Sequence, residues 1–146
     1  MIISKKNYKN RILNHITING NKRTSEKLLL KTLKLMQATH QKKDFEAILR
    51  TSLINSSPSL YIKQIKRRRR HVVEFPFLLS SKLKITYALK CLISNTRKNS
   101  SKAFYESFNT ELVDSSRKTS STYKQKIDLH KTGFIKRKFA NYRWFK

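Results

Sequence analysis

The 146-residue chain carries 34 lysine and arginine residues against 8 aspartate and glutamate residues, a formal net charge of +26 at pH 7. This length fits one domain, and an apolar content of 38% permits only a thin core spread along several amphipathic helices. Self-repulsion on this scale opposes a compact state unless a polyanion supplies the counter-charge. The composition therefore favours a nucleic-acid-binding protein, with a protein that acts on anionic membranes as the rarer alternative.

The residue inventory argues against membrane-spanning, metal-binding and catalytic functions. Purely apolar runs, such as Leu28–Leu30, are at most three residues long and far too short to cross a bilayer, and the first six residues form neither a secretory nor an amphipathic transit pattern. A single cysteine, Cys91, precludes an internal disulfide. We expect no metal, no cofactor and no enzymatic activity, because no base is poised beside a carboxylate and the histidines lack metal-ligand spacing: His15, His40, His71 and His130.

Hydrophobic periodicity predicts about six helices, of which the first two are basic. The first, Lys9–Ile18, is closed by an Asn-Gly-Asn turn. Thr24 or Ser25 is expected to cap the second, with Glu26 in the first turn, where the helix dipole favours a carboxylate. This second helix should run to about His40 on an apolar stripe formed by Leu29, Leu33 and Met36.

A third helix and a β-hairpin are predicted next. Asp44 is expected to cap the helix, and Pro58 to end it. Two runs of β-forming residues then flank Arg67–Arg70, which predicts a hairpin over residues 60–75 with an all-arginine tip. Pro76 lacks a backbone donor, so the ladder should stop at about Phe75.

Three helices are predicted in the second half. Ser80–Ser81 should cap the fourth helix, which places Cys91 in the core, and Ser100–Ser101 should cap the fifth. The polar stretch Ser115–Thr122 is predicted to be a loop, followed by a basic C-terminal helix over residues 126–144. The apolar stripes of the fourth and fifth helices are Ile85, Leu89 and Leu92, and Phe104, Phe108 and Leu112.

Two segments are candidates for nucleic-acid contact. Four adjacent arginines at a hairpin tip repel one another unless they are neutralised, and guanidinium groups pair with phosphates and stack on bases. The alternative is a solvated loop. At the C-terminus, aromatic residues alternate with cations, as in proteins that stack exposed bases. Trp144 could stack on RNA or pack the last helix onto the body, whereas His71 and His130 suit RNA contact or a cap.

The chain resembles a known family, that of the universal ribosomal protein seven of the small subunit, in its bacterial and organellar forms. Three segments carry the resemblance: the opening Ile18–Glu26 with its glycine turn and basic pair, the ribbon and apolar-Pro-apolar exit within Asn55–Phe77, and the closing motif. That motif, His130 followed by Phe139-Ala140-Asn141-Tyr142-Arg143-Trp144, is the most specific. The arginine-only tip departs from the family, whose ribbon tip usually contains glycines.

The resemblance implies a fold, a function and a set of contacts. The fold is mostly α, a single helical bundle with a protruding β-hairpin, forming one ribosomal RNA-binding domain over residues 1–146. The function is that of a structural constituent of the small ribosomal subunit, bound to the 3′ major (head) domain of its RNA and supporting head assembly near the transfer-RNA exit site. Together with the basic segments, it gives these RNA-binding residues: Lys22, Arg23, Lys63, Lys66, Arg67, Arg68, Arg69, Arg70, His71, Lys82, Lys84, Lys124, Lys126, His130, Lys131, Arg137, Lys138, Tyr142, Arg143 and Trp144.

Further partners and a location are expected on the same grounds. The partners are other small-subunit head and platform proteins and, through the hairpin, exit-site transfer RNA and messenger RNA. The excess of lysine, asparagine and isoleucine suits an AT-rich organelle gene, which indicates a mitochondrial matrix ribosome, with a plastid as the alternative. The main rival function is a general histone-like or nucleoid-like nucleic-acid-binding protein.

Overall fold

The structure is a computed structural model that describes residues 5–39, 45–67, 71–99 and 101–141. It consists of six α-helices and one two-stranded antiparallel hairpin, which confirms the predicted mostly α bundle with a protruding ribbon. In chain order the elements are α1 (Lys5–Ile16), α2 (Lys22–Thr39), α3 (Phe45–Ser56), β1 (Leu60–Arg67), β2 (His71–Leu78), α4 (Ser81–Lys98), α5 (Phe104–Ser116) and α6 (Ser121–Ile135), followed by a 3₁₀ turn (Arg137–Phe139).

Helix α5 lies at the centre of the bundle, in contact with α2, α3, α4 and α6. Its Phe108 and Leu112 are completely buried, as are Leu89 and Leu92 of α4, so the predicted stripes of both helices do face the core. Burial of each such side chain contributes about 1.5–3 kcal/mol. Cys91 is only partly buried, and its assignment to the core is therefore wrong in degree.

The second helix begins earlier than its polar residues suggest. Helix α2 starts at Lys22, so neither Thr24 nor Ser25 is its N-cap, and Glu26 lies beyond the first turn. The Thr24 hydroxyl donates to the Asn21 carbonyl at 2.6 Å, and the Ser25 hydroxyl donates to the Lys22 carbonyl at 2.7 Å. Both hydroxyls bond backward inside the first turn, which is a recognised alternative to capping. The predicted cap of the third helix, Asp44, lies outside the described residues.

The predicted starts of the last two helices are also wrong. Helix α5 follows Ala103 rather than Ser100–Ser101, and Ser101 lies in the preceding turn. Half of the predicted loop Ser115–Thr122 is helical, since only Arg117–Ser120 separate α5 from α6. The basic C-terminal helix begins at Ser121, not at residue 126, and ends at Ile135 before the 3₁₀ turn, so the predicted bounds 126–144 are wrong at both ends. Ser120 is the N-cap of α6, where its side-chain oxygen accepts the Tyr123 N–H at 3.1 Å.

A buried carboxylate fixes the start of α6. Glu111 of α5 is only 6% exposed, and its Oε1 accepts both the backbone N–H and the hydroxyl of Thr122. The hydroxyl of Ser121 also donates to this carboxylate, at 3.2 Å. A negative charge at a helix N-terminus satisfies unpaired N–H groups and the helix dipole together. Three polar residues of the predicted loop, Ser115, Ser120 and Thr122, are therefore buried at a helix junction.

The hairpin is longer than predicted because Pro76 does not interrupt it. Strand β2 runs to Leu78, with Pro76 opposite Ile62. The Leu79 N–H donates to the Ser59 carbonyl at 3.0 Å, which makes that pair a hydrogen-bonded one. Since hydrogen-bonded and non-bonded pairs alternate along an antiparallel ladder, Pro76 occupies a non-bonded pair, where no inward-facing N–H is needed.

Candidate nucleic-acid interface

The base of the hairpin packs directly on the C-terminal segment. The rings of Phe75 in β2 and Phe139 in the 3₁₀ turn meet edge to face, with centroids 5.6 Å apart. In α6, a Cβ added to Gly133 would lie 2.8 Å from Cδ1 of Leu60, so glycine permits a close approach of the helix to β1. The direction in which the hairpin leaves the body is therefore fixed by α6 and the 3₁₀ turn.

His130 connects α6 to the start of β1. Its Nε2 accepts the backbone N–H of Ser59 at 3.1 Å, at the point where the chain enters β1. Burial, and then the nearby Lys126, lower the pKa of His130 below its ordinary value of 6.5. The neutral imidazole that can accept this hydrogen bond is therefore favoured, and the ring nitrogen facing Ser59 is used inside the protein.

Lys126, another expected RNA contact, is also engaged within the fold. Its Nζ donates to the carbonyl of Asn55 at 2.7 Å, in the last turn of α3. Cations satisfy carbonyl groups at helix C-termini, and this one is partly buried. Burial, and then repulsion from Lys118, lower the pKa of Lys126. A lysine that appeared to be one more surface cation thus links α6 to α3.

Five other described cations of this region are accessible. Lys63 in β1, Lys124 and Lys131 in α6, and Arg137 and Lys138 in the 3₁₀ turn are all exposed. The guanidinium group of Arg137 lies 4.7 Å from the ring centroid of Phe134, which is itself 65% exposed. Aromatic and cationic groups therefore lie side by side at the base of the hairpin, an arrangement that suits both phosphate pairing and base stacking.

One weak ion pair connects the hairpin to this cationic segment. Lys136 Nζ lies 3.8 Å from Glu74 Oε2 in β2, and both side chains are partly exposed. The same Glu74 accepts a hydrogen bond from the amide of Gln64 in β1 at 3.1 Å. The pair contributes little stability at such exposure, but it brings the 3₁₀ turn and the two strands together on one side of the molecule.

Two further expected contacts lie where the chain leaves the hairpin and enters α4. Lys82 is exposed and Lys84 partly buried, both in the first turn of the helix. Ser80 occupies the N-cap, and within the described ranges its hydroxyl makes no capping hydrogen bond. Cations at a helix N-terminus are disfavoured by the dipole, whereas an anion bound there would satisfy both the N–H groups and the lysines.

Lys22 and Arg23 belong to a separate region. Both are exposed at the start of α2, after a turn in which Asn19 and Gly20 have positive φ angles of 51° and 75°. Within the described ranges, α1 and α2 pack on α3, α4 and α5 and make no extended contact with the hairpin or α6. The structure therefore does not bring these two residues together with the hairpin cations.

A third group of cations was missed in the sequence analysis. Arg97 Nη2 donates to the Ile16 carbonyl at 2.9 Å, so the end of α4 caps the end of α1. His15, Lys90 and Lys98 line the same shallow cavity of about 360 Å³. Burial, and then Lys90, lower the pKa of His15. The sequence signal for this group was Arg97-Lys98 in the last turn of α4, where the helix dipole favours cations.

Residues 68–70 and 142–144 lie outside the described residues, as do the side chains of Lys66, Arg67 and His71. The predicted roles of the arginine tip and of Tyr142, Arg143 and Trp144 therefore remain predictions. Over the ranges that the structure describes, no group of three His, Cys, Asp or Glu side chains could hold a metal ion, and no helix is long and apolar enough to span a membrane.

Comparison with known proteins identifies the family. Residues 2–137 match the family described as ribosomal protein S7p/S5e. Small ribosomal subunit protein uS7 of Desulfitobacterium hafniense is 32% identical over 141 residues, covering 94% of this chain and 89% of that protein. Protein uS7 of Mycoplasma mobile is 29% identical over 92% of this chain and 85% of its own length, and protein uS7c of Euglena gracilis is 27% identical over 90% and 83%. The chain therefore belongs to the ribosomal protein S7p/S5e family, as a structural, non-enzymatic constituent of the small ribosomal subunit.

Proposed function

We propose that the chain binds the 3′ major (head) domain of small-subunit ribosomal RNA and supports assembly of the head. The observation that carries this proposal is the cationic surface at the base of the hairpin, where Lys63, Lys131, Arg137 and Lys138 are exposed on elements held together by internal contacts. Because these contacts already fix the backbone that carries the cations, binding RNA phosphates has to order only their side chains.

The start of α4 extends this surface along the chain. Lys82 and Lys84 come soon after the hairpin in the first turn of α4, where the N-terminal N–H groups of the helix would bind an RNA phosphate. Lys22 and Arg23 provide a second contact on another part of the bundle, so one protein could bridge two RNA segments. Within the proposed set, Lys126 and His130 act by holding the surface together, since their polar atoms already bond within the fold.

The hairpin is proposed to reach beyond the body of the protein. Strands of eight residues extend about 25 Å at 3.3 Å per residue, and Arg67–Arg70 stand at the end of the first strand and before the second in the sequence. A projecting hairpin of this kind suits contact with exit-site transfer RNA and with messenger RNA. Other head and platform proteins of the small subunit are proposed as further partners. Replacing all four arginines with alanine should weaken RNA binding and leave the helical circular dichroism unchanged.

The proposed ribosome is an organellar one, in the mitochondrial matrix, with the plastid as the alternative. The proposal depends on composition alone: two glycines and two prolines in 146 residues, and a basic excess supplied mostly by lysine. Sedimentation of a tagged chain from separately purified mitochondria and plastids tests it. Co-sedimentation with small subunits from mitochondria is expected. Exclusive recovery with plastid or cytosolic subunits would overturn this location.

Competition binding tests the proposed RNA target. A labelled transcript of the 3′ major domain is titrated with the full chain, and unlabelled 3′ major domain, 5′ domain RNA or duplex DNA is added as competitor. We expect only the 3′ major domain to compete at equal mass concentration. Equal competition by duplex DNA would instead support a nucleoid-like nucleic-acid-binding protein, because phosphate neutralisation alone does not distinguish the two polymers.

A further inference from the structure

A shallow cavity at the C-terminal end of α4 is lined by basic groups of two helices. His15 of α1 lines this cavity of about 360 Å³ together with Lys90, Arg97 and Lys98 of α4, and Ser94 adds a hydroxyl group. The α4 residues follow one another at intervals of four, three and one, so they lie on one side of the helix. Burial, and then Lys90, lower the pKa of His15, as expected where basic groups converge on one small space.

Neither of the two helices supplies a counter-charge. The sequence contains no aspartate or glutamate from Met1 to Ser25 or from Phe75 to Tyr105, so α1 and α4 carry only basic or neutral side chains. The described lining of the cavity likewise includes no carboxylate. Like charges gathered in this way repel one another, and an anion in the cavity would relieve that repulsion.

One of these cations is held in place by the end of α1. Arg97 Nη2 donates to the Ile16 carbonyl at 2.9 Å and, more weakly, to the His15 carbonyl at 3.5 Å. Both contacts use the same nitrogen, whereas a guanidinium group has five N–H donors on three nitrogens. Arg97 is therefore positioned within the fold and has the donors for a further, bidentate contact with a phosphate.

We propose that this cavity binds a phosphate group of RNA through Lys90, Arg97 and Lys98, at a site separate from the base of the hairpin. The proposal rests on the proposed function, because ribosomal RNA supplies the phosphate. Lys84 in the first turn and Arg97 in the last turn of the 18-residue α4 lie about 20 Å apart along its axis, at a rise of about 1.5 Å per residue. One phosphate cannot reach both, so α4 connects two distinct RNA contacts.

Tethered iron–EDTA cleavage of the 3′ major domain transcript tests the location of this site. In a Cys91→Ser background, the chelate is attached to Asn14→Cys, which is exposed beside His15 and does not line the cavity. Leu83→Cys, at a position that is 54% exposed, reports on the start of α4. Thr110→Cys, exposed on the carboxylate-bearing α5, is the control. We expect RNA cleavage from positions 14 and 83, at different nucleotides, and little cleavage from position 110.

Charge removal tests the chemistry of the site. Lys90→Ala with Lys98→Ala should lower the magnitude of the salt slope by about 0.7–0.9, the value for one phosphate contact, and should reduce cleavage from position 14 relative to position 83. Lys27→Ala with Lys34→Ala removes the same charge from exposed positions on α2 and should leave that cleavage ratio unchanged. Arg97 is kept in both variants, because its removal would also take a donor from the end of α1.

Three outcomes would overturn the proposal: no RNA cleavage from position 14, cleavage from positions 14 and 83 at the same nucleotides, or a cleavage ratio that loss of Lys90 and Lys98 leaves intact. Position 83 keeps the two proposals distinguishable. If cleavage occurs from position 83 but not from position 14, the cavity proposal fails and binding to the head domain stands. If the transcript does not bind the chain at all, the proposed function itself fails.

Discussion

The Nε2 atom of His130, on the last helix, accepts the backbone N–H of Ser59 at the entrance to the first strand, 71 residues earlier in the chain. This histidine opens the C-terminal motif by which the sequence resembles its family. Its contact shows that part of the motif positions the hairpin. The cations that follow, from Lys131 to Lys138, are presented by the helix and turn that this contact fixes.

Replacing His130 with alanine should destabilise the fold by about 1 kcal/mol, since a partly buried N–H would lose its acceptor. Urea unfolding followed by circular dichroism measures the change. Lys124→Ala, an exposed position on the same helix, is the control and should change stability by less than about 0.5 kcal/mol. Equal stability of the His130 variant and the wild type would show that water replaces the imidazole without cost.

The lowered pKa of His130 also predicts a pH dependence. In the unfolded chain the imidazole has its ordinary pKa of 6.5, whereas in the folded protein its pKa is lower, so it takes up a proton only at lower pH. The unfolded state therefore binds more protons below about pH 6.5, and stability falls as the pH falls through this region. His15 shifts in the same direction, so the wild type carries both contributions.

His130→Asn tests this dependence, because its amide oxygen can still accept a hydrogen bond but does not titrate. The urea midpoint of the wild type should fall more between about pH 7.5 and about pH 5.5 than that of the variant. His15→Asn, made at the other pKa-lowered histidine, should reduce the dependence by a separate increment. Identical pH profiles for the wild type and His130→Asn would contradict the proposed neutral imidazole.

Glu111→Gln should destabilise the junction of α5 and α6. The amide keeps the shape of the side chain but removes the negative charge of the carboxylate that accepts hydrogen bonds at the start of α6. The expected loss in free energy of unfolding is about 1–3 kcal/mol. Thermal or urea unfolding measures this loss. Glu106→Gln on the same helix is the matched control, because Glu106 is only partly buried. Comparable losses of stability in both variants would show that the buried contacts of Glu111 stabilise the fold no more than those of the partly buried Glu106.

Arg137→Ala with Lys138→Ala should weaken RNA binding without unfolding the protein. Each lost phosphate contact lowers the magnitude of the salt slope by ~0.7–0.9, so the pair should reduce it by about 1.4–1.8. Lys27→Ala with Lys34→Ala removes the same charge from exposed positions on α2 and serves as the control. If both double variants reduce the slope equally, binding depends on net charge and not on this surface.

The sequence predicted the arrangement of elements better than their ends. The stripes of α4 and α5 reach the core because periodicity reports which face is apolar. Helix starts were wrong where hydroxyl groups had several possible partners, as at Ser25, which bonds back to Lys22. The predicted strand end before Pro76 is wrong, because a sequence does not show which ladder pairs are hydrogen-bonded.

The candidate site was predictable in composition but not in geometry. Basic runs and the terminal motif identified the exposed cations Arg137 and Lys138. Composition could not separate these from Lys126, whose partner is the Asn55 carbonyl 71 positions away. The cavity of about 350 Å³ between α1, α2 and α3 also had no linear signal, since its lining residues come from three separate helices.

The salt dependence of binding to the 3′ major domain transcript tests the central claim most directly, because counterion release is the expected driving force. With six to ten phosphate contacts, log Kd plotted against log salt concentration should have a slope of magnitude about 4–9. Such a slope, together with selectivity over duplex DNA, is the predicted result. Salt-independent binding, or no binding to this RNA at low salt, would contradict the account.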